Sequence, residues 1–388
     1  MSRFLPGNRV DLLRNGDEFF PALKAAIDGA RHDIQLETYI FRIDDTTRPL
    51  AEALVAAARR GVEVRILVDG FGSRTFPADW VALLTEAGAH FHFYRKFRFT
   101  WLPRRNRLRR LHRKLAVIDG RIGFVGGINL HDDRDNAEPG YAARYDYAVR
   151  VEGPVLAPLC ATTRGLWRHL ALLRGEVWPV IELSRPATAR VGVMDARLVI
   201  RDNVKHRLSI ENEYLREIRA ARQDILIANA YFLPGLRLRR AILAAARRGV
   251  RVELLLQGRP DHPVMQWATR RLYQQFLDAG VQIHEYRAGY MHAKVAVIDT
   301  LWSTVGSSNI DPFSLGLARE ANLVVRNYAF ARELQASIVR RIRRDSLPIG
   351  HDMLRKARWW HRGWATLCYG FSRFAINIAG LGEYYGKE

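Results

Sequence analysis

The chain has 388 residues, of which 48% are hydrophobic and 26% are charged. This composition excludes a disordered or low-complexity chain and supplies enough apolar residues for more than one core. Lysine and arginine number 61 against 40 acidic residues, which gives a formal net charge of +21. A charge of this size favours a polyanionic partner, either nucleic acid or an anionic lipid surface.

Two further features concern the cellular compartment. Cys160 and Cys368 are too few and too far apart for a disulfide framework, a Cys-rich zinc site or an iron–sulfur cluster, so a reducing compartment is expected. The first residues lack the apolar segment of a signal peptide, and no uncharged apolar stretch reaches the roughly 18 residues of a simple spanning helix. We therefore expect the protein to stay in the cytoplasm.

The chain contains an internal repeat. An apolar strand that begins at Asp33 is followed by an Ala- and Arg-rich helix ending at Gly61 and by a second apolar strand, which is a βαβ pattern. The pattern begins again at Asp224, where the helix ends at Gly249. Strands that alternate with helices predict two α/β halves, each with a mixed sheet covered by helices.

The repeat also predicts the domain organisation. We expect an N-terminal half over residues 5–172, a linker over 173–195, a C-terminal half over 196–345 and a separate tail over 346–388. The tail is rich in Trp, Tyr and Phe, which favours an interfacial membrane anchor, and a helix that caps the core is the alternative. The segment 94–110 carries eight Arg or Lys residues and no acid, and it favours a membrane surface over a nucleic-acid groove.

Each half carries a histidine and a lysine two residues apart. On a strand, residues i and i+2 face the same side, so His112 lies beside Lys114 and His292 beside Lys294. If Asp119 and the next residue form a two-residue hairpin turn, position 112 lies opposite position 127. Asn129 then shares the face of His112 and Lys114. The same count in the second half places Ser307 opposite His292, with Asn309 on that face.

These residue types suit phosphate chemistry. Lysine supplies charge and asparagine supplies N–H donors, while a neutral imidazole can attack phosphorus or move a proton. Each histidine also needs a carboxylate that orients its second ring nitrogen. Asp146 and Glu320 are the candidates, because each precedes an apolar strand downstream of a motif.

The two copies of H-x-K-x-x-x-x-D, each followed by a Gly/Ser-rich segment and an asparagine, resemble the phospholipase D superfamily. The similarity covers most of residues 5–345 and is strong because the motif occurs twice. Within the superfamily the chain resembles the short, B-type bacterial cardiolipin synthases, which lack two N-terminal membrane helices. Supporting segments include Gly126–Asn129 and Thr304–Ser314.

The resemblance implies a pseudo-twofold fold with one shared active site that needs no metal or other cofactor. It implies transfer of a phosphatidyl group from one phosphatidylglycerol to another through a phosphohistidine, at the cytoplasmic face of the bacterial inner membrane. His112 is expected as nucleophile and His292 as acid and base, although the near-symmetric motifs leave this assignment open. Lys114, Lys294 and the two asparagines would hold the phosphoryl oxygens.

Some alternatives stay open. The resemblance counts Asp119 and Asp299 among the catalytic motif residues, but their odd spacing from the histidines predicts a structural role in the turns. Phosphatidylethanolamine is a second possible donor. Two alternative functions remain: a hydrolase or nuclease that uses water as acceptor, and a noncatalytic polyanion-binding protein. Nucleic acid is disfavoured as a partner, and protein partners are unknown.

Overall fold

The computed structural model describes residues 3–95, 109–135, 140–174, 183–203, 205–259, 263–311, 314, 316–356 and 359–378. Most of the basic segment 94–110, part of the predicted linker and residues 379–388 lie outside the described residues. The strands are β1 Leu5–Arg14, β2 Asp33–Thr38, β3 Glu63–Asp69, β4 His90–Tyr94, β5 Lys114–Ile118, β6 Ile122–Gly126, β7 Ala142–Tyr145, β8 Tyr147–Glu152, β9 Met194–Arg201, β10 Asp224–Asn229, β11 Arg251–Gln257, β12 Gln282–Tyr286, β13 Gly289–Met291, β14 Lys294–Ile298, β15 Trp302–Gly306, β16 Glu320–Arg326 and β17 Ser346–Ile349. The helices are α1 Asn15–Asp28, α2 Arg48–Arg59, α3 Ala78–Glu86, α4 Leu156–Arg174, α5 Ser209–Ala220, α6 Leu236–Arg247, α7 Pro263–Arg270, α8 Tyr273–Asp278, α9 Tyr328–Asp345, α10 His351–Lys356 and α11 Trp359–Ile378.

A single mixed sheet runs through both halves. Its order is β17-β12-β11-β10-β14-β15-β16-β9-β1-β8-β6-β5-β2-β3-β4, and β7 pairs separately with β13. From the central antiparallel pair of β1 and β9, the strands of each half follow in matching order. The strands β2, β3 and β4 are parallel to one another, as are β10, β11 and β12, and β17 adds an antiparallel edge to the C-terminal half. This topology confirms the duplicated, mixed α/β fold.

Both faces of the sheet are covered by helices. Along β5, Leu115 and Val117 contribute to a core shared by the two halves, which also contains residues of α4 and α9. Ala116 and Ile118 face the opposite core, under α1 to α3. Strands that are buried on both faces need apolar residues at successive positions, which explains the continuous apolar runs in the sequence.

The hairpins that carry the motifs have a register different from the predicted one. Ile118 pairs with Ile122, and Ile298 pairs with Trp302, so each turn contains three residues rather than two. The expected pairing of position 112 with 127, and of 292 with 307, is therefore wrong by one residue. Each turn begins with an aspartate in the left-handed region, Asp119 at φ +50° and Asp299 at φ +51°, a conformation that this residue type tolerates better than most.

The predicted tail begins differently from the expectation. Residues Ser346–Ile349 form β17, which pairs with β12 at the edge of the sheet, so the separate segment starts after them. The helix α11 packs against α7 and buries Ala365 and Cys368 in the core of the C-terminal half. Among the helices in the described ranges, none combines the length and apolar character that crossing a bilayer requires.

Candidate active site

The first histidine receives its carboxylate from the other half of the chain. Leu111 forms a parallel bridge with Arg319, and the backbone N–H of His112 donates to the Arg319 carbonyl at 3.0 Å. In a parallel pair the following residues are also neighbours. Nδ1 of His112 consequently lies 2.9 Å from Oε1 of Glu320.

The second histidine is held in the mirrored arrangement. The strand β13 pairs in parallel with β7, and the His292 N–H donates to the Tyr145 carbonyl at 2.7 Å. Nδ1 of His292 lies 2.7 Å from Oδ2 of Asp146. Sequence reasoning selected both carboxylates, but nothing in the sequence indicated that each one serves the histidine of the opposite half.

The two motifs share one site. Burial lowers the pKa of His112, and the charge of Lys294 from the other half lowers it further. Burial also lowers the pKa of His292 well below its usual value, with added effects from Lys294, Lys114 and His112. Burial disfavours the charged imidazolium, so both rings are neutral at pH 7, the form that a nucleophile or a proton carrier requires.

Both motif lysines turn toward their own histidine. Nζ of Lys114 donates to the His112 carbonyl at 2.7 Å, and Nζ of Lys294 donates to the His292 carbonyl. Burial lowers the pKa of Lys114 to about 7. Burial likewise raises the pKa of Asp146 to about 7, against the opposing effect of the Lys294 charge. Near neutral pH, Lys114 and Asp146 are therefore each expected to change protonation state.

Ser307 contacts a carboxylate. Its hydroxyl donates to Oε2 of Glu320, the side chain that also pairs with the first histidine. At the corresponding position in the first half, a Cβ on Gly127 would lie 2.4 Å from Oδ1 of Asp146, so there is no room for a side chain. The predicted phosphate contact of Ser307 stays a prediction, because the hydroxyl of the free protein is engaged in positioning Glu320.

The two motif asparagines are buried beside this region. Oδ1 of Asn129 accepts from the Ile40 N–H at 3.2 Å, and Nδ2 of Asn309 lies 3.4 Å from Oγ of Ser314. Oδ1 of Asn309 has no hydrogen-bond partner among the described residues, and buried polar atoms of this kind are usually satisfied by a ligand or water. Within the described parts of the chain, no three His, Cys, Asp or Glu side chains are grouped as a metal site.

The motif aspartates do not reach the histidines. The carboxylate of Asp119 accepts the backbone N–H groups of residues 31–33, and that of Asp299 accepts those of residues 222–224. Asp119 stands seven residues beyond His112 along an extended strand, about 20 Å away at ordinary strand rise. Their inclusion among the catalytic residues is therefore corrected: they fix the hairpin turns to β2 and β10, which agrees with the structural role predicted from their spacing.

Sequence reasoning missed Tyr39 as a site residue. Its ring centroid lies 4.9 Å from that of His112, and Nζ of Lys114 lies 5.4 Å from the same ring. The second half has Ala230 at the matching position of the repeat. The difference between Tyr39 and Ala230 in otherwise similar segments is the sequence feature from which Tyr39 could have been identified. It also makes the surroundings of the two histidines unequal.

Comparisons with known proteins agree with this geometry. A family model described as "Cardiolipin synthase, PLD-like domain" matches residues 23–154 and 214–342. Cardiolipin synthase B of Salmonella typhi is 41% identical over 96% of this chain and 90% of its own, and that of Escherichia coli K12 is 40% identical over the same shares. The crystal structure of phosphatidylserine synthase from Haemophilus influenzae Rd KW20 has the same fold, with a TM-score of 0.70, 14% identity and coverage of 97% of this chain and 96% of that chain. The chain therefore belongs to the cardiolipin synthase family of phosphatidyltransferase enzymes, which has the phospholipase D-like fold.

Proposed function

We propose that the protein transfers the phosphatidyl group of one phosphatidylglycerol to a second, giving cardiolipin and glycerol through a phosphohistidine. The observation that carries this proposal is the pair of histidines in one site, each bound to a carboxylate of the opposite half. Two neutral imidazoles in such a site can act as nucleophile and as proton carrier. The names of the similar proteins supply the substrate class.

The first step forms the covalent intermediate. The Nε2 lone pair of His112 attacks phosphorus, and the bond from phosphorus to the oxygen of the glycerol headgroup breaks. Nε2–H of His292 gives its proton to that oxygen while Asp146 passes its own proton to Nδ1 of His292, so free glycerol leaves and the ring stays neutral. The Lys114 and Lys294 ammonium groups stabilise the charge that develops on the phosphoryl oxygens.

The second step reverses the proton movement. Nε2 of His292 takes the proton from a headgroup hydroxyl of a second phosphatidylglycerol, and Nδ1 returns its proton to Asp146, while the hydroxyl oxygen attacks phosphorus. The bond from phosphorus to Nε2 of His112 breaks, which yields cardiolipin and restores both histidines. If water replaced the second lipid, the same residues would produce phosphatidic acid.

The unequal carboxylates support the division of roles. The hydroxyl of Ser307 donates to Oε2 of Glu320, and Oε1 accepts the proton on Nδ1 of His112, which leaves Nε2 free to attack. Burial raises the pKa of Asp146 to about 7, so near neutral pH this group can donate its own proton to Nδ1 of His292. That tautomer places a proton on Nε2 of His292, where an acid is needed.

The pH dependence follows from two groups whose pKa values lie near 7. The mechanism uses protonated Lys114 and protonated Asp146, so kcat/KM should fall above pH 7, approaching about a hundredfold per pH unit when both have lost protons. Because the pKa of His112 is lowered, the acid limb should lie below pH 6.5. In Lys114→Arg the guanidinium stays charged, so the alkaline fall should be only about tenfold per unit even if the rate is lower. An unchanged slope would exclude Lys114 as one of the two groups.

The reaction itself is tested with labelled phosphatidylglycerol and purified protein in detergent, with a chelator present. Formation of cardiolipin and glycerol in equal amounts supports the proposal. Phosphatidic acid alone would identify a hydrolase, and lack of lipid turnover would direct the search to single-stranded nucleic acid. Phosphatidylethanolamine in a parallel reaction tests the alternative donor, because release of ethanolamine would show its use.

We also propose that the protein binds the cytoplasmic face of the inner membrane peripherally, through α11. Trp364, Leu367, Phe371 and Phe374 are all more than half exposed, between 53% and 66%. Their spacing of three, four and three residues places them on one stripe of the helix. The opposite side of α11 packs on the core, so this helix fits both the capping and the anchoring alternatives drawn from the sequence.

Polar substitutions on the exposed stripe should release the protein from vesicles. Leu367→Ser with Phe371→Ser removes two large apolar side chains from the lipid boundary, and binding to phosphatidylglycerol vesicles should weaken about a hundredfold or more. Cosedimentation measures the loss. Leu301→Ser, at a hairpin turn where the leucine is 51% exposed, is the matched control and should bind as the wild type does. Equal binding of all variants, with unchanged melting temperatures, would contradict the role of α11.

A further inference from the structure

A cavity lies under α11, apart from the histidine–carboxylate pairs. It has a volume of about 640 Å³ and is enclosed by α7, α8, α10, α11 and the sheet edge at β12 and β17. Cavities of roughly 300–1,000 Å³ are typical of sites for small molecules or lipid headgroups. None of its lining residues belongs to the histidine–carboxylate pairs described above.

The polar side of this cavity has an excess of positive charge. The buried carboxylate of Glu285 is shared by Arg270, at 2.9 Å from both Nε and Nη2, and by Arg287. Arg271 also lines the cavity, is exposed, and makes no side-chain ion pair with any described residue. Three guanidinium groups therefore face one carboxylate. The exposed guanidinium of Arg271, which has no side-chain hydrogen bond among the described residues, therefore keeps its donors for an anion.

The other side of the cavity is apolar. Trp267, Met353 and Leu354 line it together with Ala365 of α11. Ala365 adjoins Trp364, and Thr366, which also lines the cavity, adjoins Leu367, so the cavity lies beside the exposed apolar stripe. A ligand held here would have an anionic group among the guanidiniums and hydrocarbon toward the helix that faces the bilayer.

We propose that this cavity binds the phosphodiester headgroup of an anionic phospholipid, as a site separate from the catalytic one. The phosphate contacts Arg271 and Arg287, and the acyl chains extend past α11 into the membrane. Guanidinium groups suit phosphate because they offer several N–H donors in one plane. The choice of ligand rests on the proposed phospholipid chemistry, and the site holds the protein on an anionic surface.

Vesicle binding tests this site with a charge-matched control. Arg271→Glu should weaken binding to vesicles of phosphatidylcholine mixed with phosphatidylglycerol about ten- to a hundredfold. Arg59→Glu makes the same charge change at an exposed arginine of α2 that has no ion pair among the described residues, and it should weaken binding less than about threefold. Thr366→Trp fills the cavity without changing charge and should reproduce the loss.

Several outcomes would overturn the proposal. Equal losses in Arg271→Glu and Arg59→Glu would show an effect of net charge alone, and normal binding by Thr366→Trp would show that the cavity is not occupied. If inorganic phosphate bound the wild type but not Arg271→Glu, and did not displace the wild type from vesicles, the site would be one for free phosphate. Turnover of detergent-solubilised lipid should be unchanged in Arg271→Glu. The turnover assay therefore tests the proposed reaction, and the vesicle assay tests this site independently.

Discussion

His112→Ala should abolish formation of the covalent phosphatidyl-enzyme, and the turnover of phosphatidylglycerol should fall by about 10⁴- to 10⁶-fold. The alanine variant lacks the nitrogen that attacks phosphorus, and the second histidine is held against Asp146 on the other side of the site. His292→Ala should lose turnover to a similar extent, because glycerol then leaves without a proton. Turnover alone therefore does not separate the two histidines.

A substrate with an activated leaving group separates them. The nitrophenyl ester of phosphatidic acid needs no proton donor, so His292→Ala should still release one equivalent of nitrophenolate and accumulate the covalent adduct. His112→Ala should give neither. Mass spectrometry after an alkaline quench, which preserves the bond from phosphorus to nitrogen, locates the adduct. The reverse pattern would exchange the roles, and adduct formation in neither variant nor wild type would exclude the covalent route.

Much of the fold was predictable because the chain repeats itself. The helix that ends at Gly61 and its copy that ends at Gly249 made both βαβ units visible, and apolar runs such as those around Leu115 and Val295 marked buried strands. The hairpin register was not predictable in this way. The number of residues in each turn depends on the positions of the Asp119 and Asp299 carboxylates. Each carboxylate accepts from backbone N–H groups that lie about 80 residues away in the chain.

The residue types of the site were predictable, but their pairing was not. His112 and Glu320 are separated by 208 residues, and the contact depends on one parallel bridge at Leu111 that has no local sequence signature. Sequence spacing likewise gave Ser307 a place near the phosphate, whereas the fold places its hydroxyl on Glu320. Each half therefore completes the histidine–carboxylate pair of the other, and neither half alone contains a complete pair.

Removing the charge of each carboxylate should affect the histidine of the opposite half. In Glu320→Gln the nucleophile loses the acceptor that fixes its Nδ1 proton, and adduct formation from the activated substrate should slow by about 10³- to 10⁴-fold. In Asp146→Asn adduct formation should be nearly normal, while turnover of phosphatidylglycerol should fall by a similar factor because proton transfer through His292 fails. Ser307→Ala, which removes only the hydroxyl from Glu320, should slow adduct formation about tenfold.

The two readouts distinguish this arrangement from pairing within each half. If Asp146 served His112 and Glu320 served His292, the slow adduct formation would appear in Asp146→Asn and the isolated turnover defect in Glu320→Gln. Melting temperatures close to that of the wild type would show that the buried substitutions have not unfolded the site. Because each carboxylate acts across the junction of the halves, neither half expressed alone should form the adduct. A mixture of His112→Ala and His292→Ala proteins should regain activity only if one chain can exchange a half with another chain.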